Sequence, residues 1–223
     1  MDSIFVYGAG GHGKVVIDAL HSNPHPVDVG RVVDDNPRLH GKTLMGHRIV
    51  SPRELGSERG FIAIGDNAGR QRIAALYRGR LLVIVHPAAI VARDVRVGEG
   101  TILMAGSIVN AGTNIGENVI INTSASVDHD CVIEAGVHIA PGCRLCGNVR
   151  VGTGSLLGAG TVVVPGVRIG RGAFVHAGQV VTADVEDGET VRGPRPRVPA
   201  RPKPPPEPSE PPPDSAPASR SAE

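Results

Sequence analysis

The chain is poor in aromatic side chains, net charge and long apolar runs. Its 223 residues contain no tryptophan, two tyrosines and three phenylalanines, and its formal net charge is +1. So balanced a charge provides no field to draw the chain to nucleic acid or to a membrane surface, and the composition suits one or two soluble domains. No segment is long and apolar enough to span a bilayer, and residues 4–7 are far too few for the apolar region of a signal peptide. The three cysteines, Cys131, Cys143 and Cys146, are an odd number. Cys143-x-x-Cys146 has no second pair and no metal-spaced histidine beside it, so reduced thiols, no metal and a cytoplasmic compartment are expected.

What the chain does have is a period of six. From Val85 to Val181 every sixth residue is aliphatic, running through Val91, Val97, Leu103, Val109 and onward without a slip. That period fits neither an α-helix nor a half-buried strand, but it fits a left-handed parallel β-helix of hexapeptide repeats, three hexads to a triangular coil. Four residues after each aliphatic stands a small or β-branched one, such as Thr101, Ser107, Thr113, Ala125, Cys131 and Cys143, suited to a corner where larger side chains would overpack. Positions about 18 apart should lie above one another.

Residues 1–84 read as a small Rossmann-like α/β domain with strands at 4–7, 27–33, 61–64 and 81–85 and helices over 14–21 and through Ile73 and Leu76. Gly8-Ala9-Gly10-Gly11-His12-Gly13 follows the first strand and opens the first helix. Glycines there let the backbone approach a phosphate, and the helix N-terminus supplies free N–H groups. About 84 residues make roughly one mononucleotide half, so a single nucleotide or nucleotide-sugar fits better than a dinucleotide. Asp34 and Asp35 are either acceptors for a ribose or base N–H or a solvated turn; Gly65 and Asn67 face the same crevice. His12 either flanks the helix start or donates to the ligand. The coils take up 85–192. From 193 to 223 the chain holds most of its 19 prolines among charges and small residues, the composition of a disordered tail.

Asp128-His129-Asp130 is the strongest candidate for chemistry. Its hexad position puts His129 on a corner, where an acidic neighbour can raise the basicity of an imidazole and fix its tautomer; the alternative is a surface histidine between two solvated aspartates. His138, half a coil further on, lies on another part of the prism. The two would meet only between chains, which points to a homotrimer.

The motif Tyr7-Gly8-Ala9-Gly10-Gly11-His12-Gly13, the pair Asp34-Asp35 with 62–67, and the segment 122–133 together resemble the sugar O-/N-acyltransferases of the sialic acid O-acetyltransferase type. These include the bacterial acetyltransferases of nucleotide-linked 4-amino-4,6-dideoxy sugars. The resemblance covers residues 1 to about 192. It implies an acetyl-CoA-dependent homotrimeric enzyme with sites between β-helices and a nucleotide-sugar or sugar substrate. It implies His129 as general base, with Asp130 (often Glu in such enzymes) raising its basicity. His138, Gly147, Ala159 and Ala177 would meet acetyl-CoA, and Gly10, Gly11, His12, Asp34, Asp35 and Gly65 the nucleotide-sugar. Amino and hydroxyl acceptors both stay open. Two rivals remain: a non-catalytic nucleotide-sensing trimer, and a zinc lyase of the γ-carbonic anhydrase kind using His129, His138 and His176, whose spacing lacks closely paired ligands.

Overall fold

A computed structural model describes residues 3–25, 27–77 and 79–193. The expected proline-rich tail, beyond Gly193, lies outside the described residues.

The first lobe contains β1 (Ile4–Tyr7), α1 (Gly11–His21), β2 (Val29–Val33), β3 (Thr43–Leu44), β4 (His47–Val50), β5 (Gly60–Ile62) and α2 (Asn67–Leu76). Its sheet runs β3-β4-β2-β1-β5, parallel except for β3, which pairs antiparallel with β4. Every residue of β1 is buried, as suits a central parallel strand covered on both faces. Val16, Ile17 and Leu20 of α1 pack against Ile4, Val6 and Val32. On the other face Ile73 of α2 meets Phe5, Tyr7 and Ile62.

Three features depart from the sequence expectation. Residues 81–85 do not form a strand of this sheet: Leu81 makes only an isolated bridge to Gly60, and Ile84–Val85 is the first rung of the coils, because its pairing partner is Ile102–Leu103. The first helix begins at Gly11 rather than Lys14, behind an extended Gly10 (φ −86, ψ −166). A Cβ on Gly13 would stand 2.1 Å from the Gly8 carbonyl oxygen, so this glycine serves close packing of the helix on the turn that precedes it. His12 is thereby a first-turn helical residue. The β3–β4 hairpin has no counterpart in the sequence pattern: Met45 (φ 48) and Gly46 (φ 87) turn it with two left-handed residues, and methionine gives no hint of that turn type.

From Ile84 onward, two-residue strands recur every six residues as far as Val181, and Thr190–Val191 closes the series. They sort into three sheets of seven, six and five strands. Val109 pairs with Val91 below and Val127 above, a register of one coil in parallel. The aliphatic of each hexad points inward, and Val109, Val127, Leu145 and Val163 are all buried. The small corner residues do more than save space. Thr113 Oγ1 donates to the Asp128 carbonyl at 2.8 Å and accepts the Cys131 N–H at 3.1 Å, so a buried hydroxyl is satisfied while tying one coil to the next.

On the seven-stranded face the outward residues form the column Ile84, Ile102, Ile120, His138, Leu156 and Phe174. An outward isoleucine on a bare prism would face water. Here Ile84, Ile102 and Ile120 join the same core cluster as Val16 and Leu20, so α1 is wedged between its own sheet and the coils. Replacing Ile120, which is 0% exposed, by alanine should therefore cost about 2–5 kcal/mol, measured by denaturant unfolding. A change under half a kcal/mol would mean the lobe does not rest on this face.

Candidate active site

The glycine turn leaves room for a ligand. A Cβ on Gly10, Gly11 or Gly65 would meet nothing within 4 Å, so backbone N–H groups at the start of α1 are open to an anion. Gly8 is different: its φ of +117 and the Ala63 carbonyl oxygen, 2.6 Å from where a Cβ would sit, make it a structural requirement.

The two aspartates behave differently. Asp34 Oδ2 accepts the Ala9 N–H and Oδ1 accepts the Asn36 N–H, each at 2.8 Å. Its carboxylate thus ties the glycine turn to the end of β2. Asp35 accepts the Tyr7 hydroxyl at 2.9 Å and lines a cavity of about 400 Å³ with Leu55, Arg72 and Tyr77. Burial first, then the hydrogen bond to Asp35, pushes the Tyr7 phenol far up, so it stays a donor. Of the pair, Asp35 is the carboxylate that faces open space.

The second group of residues sits on a corner of the coils. His129 Nδ1 lies 2.8 Å from Asp130 Oδ2. A carboxylate accepts only, so Nδ1 carries the proton and Nε2 keeps its lone pair. The preceding Asp128 Oδ1 accepts both the His129 N–H and Asn110 Nδ2 at 2.8 Å. The hydrogen bond to Asp130 holds the His129 pKa above its ordinary value. Asp130 itself is left-handed (φ 57), at a corner position where Gly112, one coil below, and Gly136, on the next corner, are also left-handed. Asn118, Ser124 and Asn148 also keep side chains at left-handed corners, so Asp130 is distinguished by its bond to His129 rather than by its backbone.

Gly147 lies one coil above His129. A Cβ there would come within 2.5 Å of His129 Cε1 and Nε2, so the imidazole occupies the space over this glycine and would be displaced by any side chain.

His138 ends up elsewhere. Asn122 Oδ1 accepts the Thr123 N–H at 2.8 Å, which turns Nδ2 toward His138 Nε2 at 3.1 Å. Nε2 must then accept, and the proton lies on Nδ1. Burial, then the Arg70 charge, lowers the His138 pKa to about 4. The same happens to His12, lowered to about 4 by burial, then by His138 and by Arg70. His12 Nε2 and His138 Nδ1 are both buried without a hydrogen-bond partner. Two uncharged rings thus stand at the junction of the lobes with free polar atoms.

The structure therefore gathers the sequence candidates into separate groups. His129, Asp130 and Gly147 share one corner, while His12, Gly65 and His138 share the junction between the lobe and the coils. Ala159 and Ala177 stand one coil apart on another corner, both exposed. One chain alone does not bring His129 to His138. His40, a plain surface residue by its sequence context, bonds through Nε2 to the Asp34 carbonyl at 2.8 Å. Asn67, expected with Gly65 to face the nucleotide crevice, instead turns its side chain to Arg70 and to the Gly154 and Ser155 carbonyls. Arg70, which the sequence does not mark, proves central to the junction; an arginine on a helix gives no advance sign of full burial. Among the described residues no helix is long and apolar enough to cross a membrane, and no group of three or more histidine, cysteine or acidic side chains is placed to hold a metal ion.

Comparison with known proteins bears on both halves. Residues 3–76 match the PglD N-terminal domain family, 112–147 the bacterial transferase hexapeptide family (six repeats), and 148–183 the hexapeptide repeat of succinyl-transferase. The acetyltransferase domain of PglB from Neisseria gonorrhoeae FA1090, solved in complex with acetyl coenzyme A, is 36% identical at a TM-score of 0.77, the match covering 84% of this chain and 94% of that one. PerB from Caulobacter crescentus, solved in complex with CoA and GDP-perosamine, is 40% identical at a TM-score of 0.79, covering 85% and 93%. Among curated proteins, the UDP-N-acetylbacillosamine N-acetyltransferase of Bacillus subtilis is 33% identical over 118 residues. That match spans 47% of this chain and about half, 52%, of the relative.

Two outcomes follow from the geometry. Asp130→Gly should fold at least as stably as the parent, because glycine prefers the left-handed corner, while the His129 ring titrates closer to the ordinary ~6.5; thermal melts and histidine NMR read both. For His12 and His138 the folded pKa lies below the unfolded one. Their contribution is present above pH ~6.5 and is lost as pH falls toward about 4, on the order of 3 kcal/mol each at most. Melting temperature should decline through that window, and a flat profile would contradict the burial of these rings.

Proposed function

This chain belongs to the hexapeptide-repeat sugar acetyltransferases with a PglD-type N-terminal domain, and we propose that it transfers the acetyl group of acetyl-CoA to the amino group of a nucleotide-linked amino sugar. The observation that carries the reading is the His129–Asp130 pair. Its Nδ1 is tied to a carboxylate, its Nε2 carries a free lone pair, and its ring lies over Gly147. A base of that kind takes a proton from an attacking amine.

In this reading the nucleotide occupies the first lobe. Its phosphates lie on the N–H groups at Gly10 and Gly11, and Asp35 meets a donor of the ribose or base. The pantetheine arm runs along the coil corners past Gly147, Ala159 and Ala177. The amine attacks the thioester carbonyl carbon as His129 Nε2 removes its proton, the carbon–sulfur bond breaks, and the thiolate leaves with the proton His129 held. Holding both substrates in one ternary complex supplies the orientation, and no covalent acyl-enzyme is needed. Because His129 and His138 lie apart in one chain, two prisms in a homotrimer complete the site. The relatives named for amino-sugar acetylation, UDP-N-acetylbacillosamine N-acetyltransferase in particular, favour an amine over a hydroxyl acceptor.

The test is release of free CoA with a panel of nucleotide-linked amino sugars. His129→Ala should keep its assembly state in light scattering and lose about 10²-fold or more in turnover. Turnover near that of the parent would remove His129 from this role.

A further inference from the structure

Among the described residues Arg70 is the largest fully buried side chain, 0% exposed, and no carboxylate there forms a salt bridge with it. An unpaired buried cation is costly unless every donor is satisfied, and carbonyl oxygens do that here. Nε donates to Asn118 at 2.8 Å, Nη1 to Ile64 and Gly65 at 2.9 and 3.2 Å, and Nη2 to Gly136 at 2.9 Å and to Asn67 Oδ1 at 2.7 Å. Asn67 then donates through Nδ2 to the carbonyls of Gly154 and Ser155 at 2.9 and 3.0 Å.

Asn118, Gly136 and Gly154 are one coil apart in turn, and all three are left-handed (φ 54, 67 and 73). The arginine and its asparagine thus engage three stacked corners at once. The other end of the fork holds the carbonyls that follow β5, at Ile64 and Gly65, where the lobe meets the proposed nucleotide-sugar site. His138 adjoins Val137 in the same stretch of coil. Asp66, the cap of α2, is the acid whose field reaches Arg70. The groups facing His138 are Arg70, the Gly65 carbonyl, His12 and Asn122.

We propose that Arg70 is a positioning residue for the transfer: its fork locks the strand end at Ile64 and Gly65 onto the stacked corners, so that Gly65 and His12 meet the nucleotide part of the substrate on one preformed wall beside His138. Arg70 touches neither substrate. This rests on the nucleotide-sugar reading above. The physical reason for a guanidinium is that five donors in a fixed plane are needed; lysine supplies three from one point. Loosening the fork lets the lobe shift on the coils, and a misplacement of about an ångström is enough to cost about 10²-fold in rate.

The test compares acceptors as well as variants. Arg70→Lys keeps the charge but loses the fork. With it, kcat/KM for a nucleotide-linked amino sugar should fall about 10–10²-fold, while kcat/KM for the same amino sugar without its nucleotide, which the lobe does not anchor, changes less than about twofold. A purely structural role would lower both equally through lost active protein, so equal losses, or none, overturn the proposal. In the substrate-free protein, Arg70→Gln removes the charge, and the His138 ring should titrate at higher pH than in the parent; an unmoved titration overturns the proposal. That NMR measurement stands even if the parent acetylates no amino sugar, a result that would sink the nucleotide-sugar reading alone. Should the Arg70 variants fail to fold, Asn67→Ala cuts only the bonds to Gly154 and Ser155 and to one guanidinium nitrogen. The same loss of preference for the nucleotide-linked acceptor is expected from it, and an unchanged preference overturns the assignment.

Discussion

One constraint governs this molecule: each coil must hydrogen-bond to the next in an unbroken register of three hexads. Backbone N–H groups reach carbonyls one rung further along the array, from Ile84 with Thr101 to Val164 with Val181, and only the closing coil is two residues shorter, pairing Phe174 with Thr190. Because that register holds as far as Val181, a residue's place in its hexad determines whether it points inward, outward or around a corner. The outward column that begins with Ile84, Ile102 and Ile120 seats α1, and the next member of the same column is His138. Docking the lobe and placing a histidine beside the start of its helix are consequences of one stacking rule.

Several departures from the repeat's default residues bear on the proposed chemistry, while Ser124 and Asn148 are left-handed corners that do not. Left-handed corners carry glycine at most positions, yet Asp130 stands at one of them and reaches the His129 ring. Asn118 stands at another and offers its carbonyl to Arg70. His138 interrupts a run of isoleucines. Gly147 is glycine for a different reason, since no positive φ requires it; the ring of His129 lies where its side chain would be. A repeat makes such exceptions informative, because every other coil shows what the position would hold by default.

This also explains what could be read from the amino-acid order. The coils were legible because period six is a local signal repeated many times, and His129 stood out because two acids flank it in sequence. The open space at Gly10 and Gly11 agreed with the glycine-rich motif. What escaped was long-range. Thr43–Val50 forms a hairpin through a Met45-Gly46 turn that carries none of the usual asparagine or aspartate. Asp34 and Asp35 look equivalent until Ala9 and Asn36 are seen to occupy the first. Arg70 sits on a short helix among Gln71 and Arg72, and nothing nearby tells that one of these side chains is enclosed by carbonyls from coils far along the chain.

The fixed rung height has a consequence for how such a chain can change. Successive strands in a sheet lie about 4.8 Å apart, so the array is graduated like a ruler. Inserting one hexad after Gly147 would carry Ala159 and Ala177 to a different edge of the prism, and only whole coils preserve the edge. The distance between the His129 corner and the edge that carries Ala159 and Ala177 is therefore quantised, and descendants that alter it must gain or lose complete turns.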